Sequence, residues 1–233
     1  MLNIRDLTGA RPVASALRIV PLAATGLDRR TFLRGAAFTL AAVAAPASAF
    51  ETYWTGGEDM PNGLVTDPLV FVAIDPDGTV TLVAHRAEMG TGSRTSLPMV
   101  LADEMGADWA RVKIVQAPGD EPRYGNQDTD GSRSMRHHIQ SMRQLGAAVR
   151  TMLARAAADR WQVEPSAVTV EVHEVVSPTG ERLGFGELAE AAMALPVPPF
   201  EELAFRDEAE FRYIGKGIVP ITDLRDITLG TAP

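Results

Sequence analysis

Residues 130–161 read DGSRSMRHHIQSMRQLGAAVRTMLARAAADRW, and the folding of this stretch decides the architecture around it. Met135, Ile139, Met142, Gly146, Val149 and Leu153 recur every three or four positions, with arginines and glutamine opposite. That spacing predicts one long helix over about 132–161, with a small, flexible inner face. Upstream, Leu97, Val100, Leu101 and Met105 repeat at helical spacing, Pro98 is tolerable in a first turn and Gly106 is a stop signal. These features predict a second helix over 95–105. The β-type run 69–74, the turn signal Asp75-Pro76-Asp77-Gly78 and the alternating run 79–84 predict a hairpin, and 111–117 alternates as a further strand. Downstream, the chain predicts strands at 167–172 and 174–176, a turn at 177–180 and a short helix near 187–194. A proline-rich linker at 195–199 and a strand-like piece at 211–214 follow. The expected fold class is α+β, with a hairpin and short strands packed against two main helices. A Rossmann reading is disfavoured. Thr95 stands where G-x-G-x-x-G needs its third glycine, and a hairpin rather than a βαβ unit precedes the loop.

At 233 residues, 45% hydrophobic and 22% charged, the chain has the material for one real core. With 22 Lys+Arg against 30 Asp+Glu, its formal charge of −8 excludes a general affinity for nucleic acid. It has no cysteine, so disulfides, zinc–thiolate sites, cysteine nucleophiles and iron–sulfur ligation by this chain are excluded together. Redox chemistry here would need a borrowed cofactor.

The charge is uneven: residues 1–49 hold six Arg and two acidic residues, while the remainder is strongly acidic. Leu27-Asp28-Arg29-Arg30-Thr31-Phe32-Leu33-Arg34 precedes a short apolar run and then Ala47-Ser48-Ala49. Basic region, short apolar region and A-x-A site predict an export signal over 1–49. Its adjacent arginines resemble the twin-arginine type, whose destination is the periplasm. Residues 50–66 are expected as an extended lead-in.

Two places carry chemistry, and both put glycine and small hydroxyl residues where a loop enters a helix. Unpaired backbone N–H groups and the positive end of the helix dipole then face outward together, which suits an anion. The first is Met89-Gly90-Thr91-Gly92; the second is Asp130-Gly131-Ser132-Arg133-Ser134, where two hydroxyls flank a positive charge. Each motif alone is ordinary turn or cap chemistry; a pair on consecutive helices fits a ligand with two phosphates, or a phosphate and a polar ring system. His137 and His138 are helix neighbours pointing about 100° apart, and His85 and His173 are expected to be isolated in strands, so no metal site is expected. Glu88 is expected as a loop residue and Glu104 as a solvated helix position, neither acting as a base. Arg133, Arg136 and Arg143 form a stripe that is solvated, extends the phosphate site or meets further domains. Trp109 and Trp161 are expected to cap the core.

The run EMGTGSRTSLPMVLADEMGADWARVKIVQAPGD over 88–120, then Tyr124-Gly125-Asn126 and the helix stretch quoted above, resembles the molybdenum hydroxylases. It looks most like the large, beta-type subunit of isoquinoline 1-oxidoreductase and the membrane-associated aldehyde dehydrogenases. The resemblance implies that 67–195 is part of a molybdopterin-binding domain and that 196–233 is a linker and the start of a truncated next domain. It further implies a molybdopterin cytosine dinucleotide cofactor and oxidation of aldehydes or N-heterocycles with oxygen from water. Implied partners are a small iron–sulfur subunit, the remaining part of the large subunit and a cytochrome c subunit, with peripheral membrane association and no nucleic acid. The family's first loop lies against the pterin and its second holds the cofactor phosphate; carried over, these are Gly90, Thr91 and Gly92, and Gly131, Ser132 and Ser134.

The chain departs from the family where Thr91 replaces a usual glutamine and Asp130 a usual glycine. The family's general-base glutamate, near a far C-terminus, has no counterpart, so no catalytic residue is expected in this chain. The expectation is a truncated or split large subunit that does not turn over alone. The alternatives are a non-catalytic remnant acting at most as a binding or interaction module, and a periplasmic nucleotide-binding protein unrelated to molybdenum.

Overall fold

A computed structural model describes residues 63–231; the expected export signal and most of the expected lead-in lie outside the described residues. The principal elements run α1 Pro68–Phe71, β1 Val72–Ile74, β2 Val80–Ala84, α2 Ser93–Met105, β3 Val112–Gln116, α3 Glu121–Tyr124 and α4 Arg133–Trp161. They continue with β4 Thr169–Val170, β5 Glu174–Val176, β6 Arg182–Gly184, α5 Phe185–Met193 and α6 Leu224–Leu229. Two three-stranded sheets form, in the orders β1-β2-β3 and β4-β5-β6. With these helices the chain is α+β.

The expected strand over 69–74 is corrected: its first half is a helical turn. Asp67 caps that turn through its carboxylate, which accepts the Leu69 N–H at 2.9 Å, and Pro68 sits at a first-turn position where its missing N–H costs nothing. The remaining three residues pair antiparallel with β2, as a hairpin should. The relation of β2 to β3 is a second correction. They are parallel, Val80 opposite Val112 through Ala84 opposite Gln116, so β2, α2 and β3 do form a βαβ crossover. Loops leaving the carboxyl ends of β2 and β3 therefore emerge on the same edge, where open α/β sheets bind ligands.

The core lies between this sheet and the α2/α4 pair. Ile74, Val80 and Leu82 meet Leu97, Leu101 and Met105 of α2 and Leu145, Val149 and Met152 of α4. Val175, Leu183, Phe185 and Leu188 extend the same cluster under the second sheet. The helices approach closely at Gly146, where a Cβ would lie 2.6 Å from the Leu101 carbonyl oxygen and 2.7 Å from the Glu104 Cβ. Trp109 and Trp161 lie partly buried against the core.

Glu104 is not a solvated helix position. It is fully buried, with Arg143 Nε at 2.9 Å, Arg150 Nη1 at 3.0 Å and the Arg206 N–H donating to it at 2.7 Å. Arg143 thereby leaves the solvated stripe, and its guanidinium also lies 5.2 Å from the ring centres of Phe205 and Phe211. The strand-like piece at 211–214 forms no strand. Its backbone N–H groups at Arg212, Tyr213 and Ile214 donate instead to the buried carboxylate of Asp103, at 2.9, 3.0 and 2.9 Å. Two acidic residues of α2 thus dock the segment after the proline-rich stretch onto the α2/α4 pair, satisfying donors that would otherwise be buried unpaired.

Candidate functional site

The loop after β2, residues 85–92, and the loop after β3, residues 117–132, meet at the carboxyl edge of the parallel strands. Their junction is the Ala87 carbonyl, which accepts from Thr129 Oγ1 at 2.6 Å and Ser93 Oγ at 3.3 Å, while the Ala87 N–H donates to Gln127 O at 2.9 Å. Gln127 Nε2 adds bonds to His85 O and Pro118 O, and Gln116 Nε2 bonds Ala84 O and Arg86 O. Thr129 Oγ1 lies 2.9 Å from Ser134 Oγ in the first turn of α4. The two glycine-bearing loops are thus tied to one another through a few hydrogen bonds.

Gly90 and Thr91 are exposed and Gly92 is half-buried; Gly131 and Ser132 are exposed and Ser134 is buried. Gly92 begins α2 at φ 77°, in the left-handed region glycine tolerates, and a Cβ at Gly90 would meet nothing within 4 Å.

The expectation of a free anion cradle at the first loop is corrected. The Glu88 carboxylate already accepts the Gly92 N–H at 3.0 Å and the Arg94 N–H at 2.9 Å. Burial pushes its pKa up, but backbone N–H donors from Arg94, Gly92, Gly90 and Thr91 outweigh this and hold it below the ordinary glutamate value. An incoming phosphate would meet this carboxylate. What the first loop leaves to a ligand is its outer surface, the open backbone at Gly90 and the exposed Thr91.

The second loop is different. Ser132 adopts φ 59° without capping the 29-residue α4 through its side chain, and of the first-turn N–H groups that of Arg133 donates to Asp130 O at 2.8 Å. Arg133 does not face this end freely. Its guanidinium pairs with Asp128 at 3.0 Å, and its Nε bonds Asp130 Oδ1 at 2.7 Å; that bond holds the Asp130 carboxyl below its ordinary value. Beneath lies Arg86, 1% exposed, with Nε bonding Ser134 Oγ at 3.2 Å and Nη1 bonding Asn126 O at 2.6 Å and also Asn126 Oδ1. Arg86 Nη2 is buried with no hydrogen-bond partner, and Asp128 Oδ1 stands 3.6 Å away. A helix start without a side-chain cap, a glycine at 131 whose Cβ would meet only Arg133 Cγ at 3.9 Å, and a buried guanidinium with a free donor fit a phosphate-bearing group.

Sequence reasoning missed Arg86, Thr129 and Asn126 as parts of this site. Asn126 carried a signal, since it stands in the Tyr-Gly-Asn motif; Arg86 and Thr129 carried none that spacing reveals.

The histidines are also corrected. His85 is not isolated: its ring centre lies 4.9 Å from that of His138 and 5.2 Å from that of Phe71. His173 lies outside the strands. Its Nε2 donates to Gly78 O at 2.7 Å while Nδ1 accepts the Asp108 N–H at 3.2 Å, and its ring stacks on Phe185 at 4.6 Å. Among the described residues, no group of three or more His, Cys, Asp or Glu side chains could hold a metal ion.

Burial, reinforced by Arg86, draws His138 down to about 3, and burial together with His138 and Arg86 places His85 well below its ordinary value. Both are neutral when folded and bind protons more readily when unfolded, so their stabilising effect is full above about pH 6.5 and falls away on acidification. His138→Leu is expected to shallow the loss of stability between about pH 6.5 and pH 3 by up to about 1.4 kcal/mol per pH unit. Urea unfolding at a series of pH values measures this, and an unchanged slope refutes it.

A model of the molybdopterin cofactor-binding domain family matches residues 31–218. The chain is 32% identical over 211 residues to a membrane-bound aldehyde dehydrogenase [pyrroloquinoline-quinone] of Gluconacetobacter polyoxogenes, covering 88% of this chain and 27% of that protein. It is 33% identical over 193 residues to isoquinoline 1-oxidoreductase subunit beta of Brevundimonas diminuta, covering 78% of this chain and 24% of that protein. The chain thus spans about a quarter of the length of these relatives. Quinoline 2-oxidoreductase from Pseudomonas putida 86 superimposes with a TM-score of 0.43 at 22% identity, over 54% of this chain and 16% of that one.

Proposed function

Because this chain belongs to the molybdopterin cofactor-binding domain family, we propose that it builds one part of a molybdopterin cytosine dinucleotide site in an oxidoreductase of aldehydes or N-heterocycles. The observation that carries this reading is the convergence of the two glycine-bearing loops at the Ala87 carbonyl, with a helix start without a side-chain cap beside a buried guanidinium.

Gly131, Ser132 and Ser134 would hold the cofactor phosphate at the start of α4. Gly90, Thr91 and Gly92 would lie against the pterin by close approach, since the Gly92 and Arg94 amides are committed to Glu88. When bound, the molybdenum pterin supplies two-electron redox chemistry that no side chain here can perform. This chain's own residues bind and orient. Glu88 is held by backbone N–H groups, and Glu104, at the far end of α2, by two arginines, so neither is free to take a substrate proton. The base, the iron–sulfur subunit, a cytochrome c subunit and the rest of a large subunit belong to the same proposal; the length of the relatives supports it. So does export to the periplasm, which rests on the Arg29-Arg30 segment, with peripheral membrane association; no helix among the described residues is long and apolar enough to cross a membrane.

The test is co-expression of the chain with the rest of a large subunit and a small iron–sulfur subunit in a host that makes molybdenum cofactor. Elemental analysis for molybdenum and chromatography of acid-released nucleotide follow. Molybdenum and cytidine monophosphate in equal amounts are expected. Nucleotide without molybdenum supports a nucleotide-binding protein instead, and neither supports a non-catalytic module.

A further inference from the structure

We propose that Arg86, rather than Arg133, is the cation that reads a diphosphate group at the start of α4, and that the Asp128 carboxylate is the counter-charge this group displaces. The inference deepens the phosphate-binding reading of residues 131–134 and rests on it.

Arg86, Arg133, Asp128 and Asp130 stand at this corner, and the Glu121 carboxylate of α3 also acts on Arg86. Arg133 is the obvious one from the sequence, but both its carboxylate neighbours, Asp128 and Asp130, already hold it. Arg86 is held differently. Nε and Nη1 are bonded to neutral acceptors, Ser134 Oγ and Asn126, and these fix the plane of the guanidinium. Nη2 is left over, buried and without a hydrogen-bond partner. Its only ion pair among the described residues is to Asp128 at 3.6 Å, longer than a hydrogen bond, and the Asp128 side chain is 48% exposed. A buried cation whose nearest anion is a half-exposed carboxylate beyond hydrogen-bond distance, and already bonded to Arg133, is suited to exchange that anion for a better one. The charge balance agrees: burial lowers the Arg86 pKa, and the nearby Asp128 carboxylate opposes the fall.

Geometry links this donor to the helix start. Ser134 Oγ, bonded to Arg86 Nε, belongs to the first turn of α4, whose N-cap residue Ser132 supplies no side-chain cap. A diphosphate oxygen replacing Asp128 would meet Arg86 Nη2 and the positive end of the helix together. Phosphate offers Nη2 a better partner than a single distant carboxylate oxygen, and a Lys ammonium would lose the Nε and Nη1 bonds that hold this donor in place.

The experiment titrates the 233-residue chain and its variants with inorganic pyrophosphate and, separately, with cytidine 5′-diphosphate, by calorimetry and phosphorus NMR. Arg86→Gln is expected to weaken both ligands on the order of ten-fold to a hundred-fold, and Arg86→Lys by a smaller factor. Asp128→Asn, at a half-exposed position that should not disturb folding, is expected to tighten both several-fold. Asp130→Asn, which frees only Arg133, is expected to tighten them less. Equal effects of Asp128→Asn and Asp130→Asn, or unaltered binding in a folded Arg86→Lys, overturn the proposal. So does a folded wild-type chain that binds neither ligand. Binding of pyrophosphate with exclusion of cytidine 5′-diphosphate overturns a nucleotide as the occupant. A chain that binds both ligands through Arg86 yet carries no molybdenum from co-expression leaves this inference standing and refutes the functional reading instead.

Discussion

Glu104→Ala is expected to lower the midpoint of thermal unfolding by roughly 10 °C. Removing one partner of a buried ion pair costs about 3–5 kcal/mol, and about 1 kcal/mol shifts the midpoint of a domain this size by about 2–4 °C. The reason is what the carboxylate leaves behind. Arg143 Nε and Arg150 Nη1 approach it from α4 at 2.9 and 3.0 Å, and the Arg206 N–H approaches from the docked segment at 2.7 Å. Arg143 retains the Arg206 carbonyl and two aromatic faces, and Arg150 retains the Glu104 and Ala204 carbonyls, but both lose their only described counter-ion. Two part-buried cations, about two turns of helix apart, then share one pocket without a counter-charge. Glu104→Gln keeps an acceptor for the backbone N–H and is expected to cost less than the alanine variant. Differential scanning calorimetry of the three chains decides it, and an alanine variant within 2 °C of wild type sinks the reading.

Gly146→Val is expected to be the second large effect, at about 3 kcal/mol, the upper end of what overpacking a core costs. A Cβ there would lie 2.6 Å from Leu101 O, 2.7 Å from Glu104 Cβ and 3.0 Å from Met105 N. Two of these atoms are backbone, so no rotamer change relieves the contact, and α2 and α4 must move apart. Such movement would also stretch the Glu104 pairs, so the double variant with Glu104→Ala should cost less than the sum of the two singles. Gly119→Ala is the control, because a Cβ there meets nothing within 4 Å. Urea unfolding of Gly146→Val with a midpoint equal to that of Gly119→Ala would show that the helices are not locked at this point.

The two main helices were legible in the sequence because each carries its own record. A helix of 29 residues repeats its apolar face often enough to be read, and Gly106 ends the shorter one with the left-handed φ of 83° that its place in the chain suggests. The first strand was half legible: β-branched and apolar residues over 69–74 do not reveal that Asp67 and Pro68 turn its start into a helix. Residues 211–214 look like a strand for the same reason. Alternation records which side chains are buried, whereas the Asp103 carboxylate that takes their N–H groups lies more than a hundred positions away in the chain.

The candidate site divides along the same line. Glycines and hydroxyl residues at helix entries are local chemistry, and both loops were found from it. That one loop is already filled by Glu88 and the other is backed by Arg86 depends on distances between residues whose spacing has no period.

By itself, the sequence determined the α+β class, the two helices, the absence of thiol chemistry and the two loops worth watching, because periodicity, composition and turn residues act over a few neighbouring positions. Only the tertiary structure decided the parallel partner of β2, the burial of Glu104 and the burial of Arg86 behind the second loop. Each of these depends on which charges and donors are brought together once water is excluded, and that pairing is set by the packing of α2 on α4.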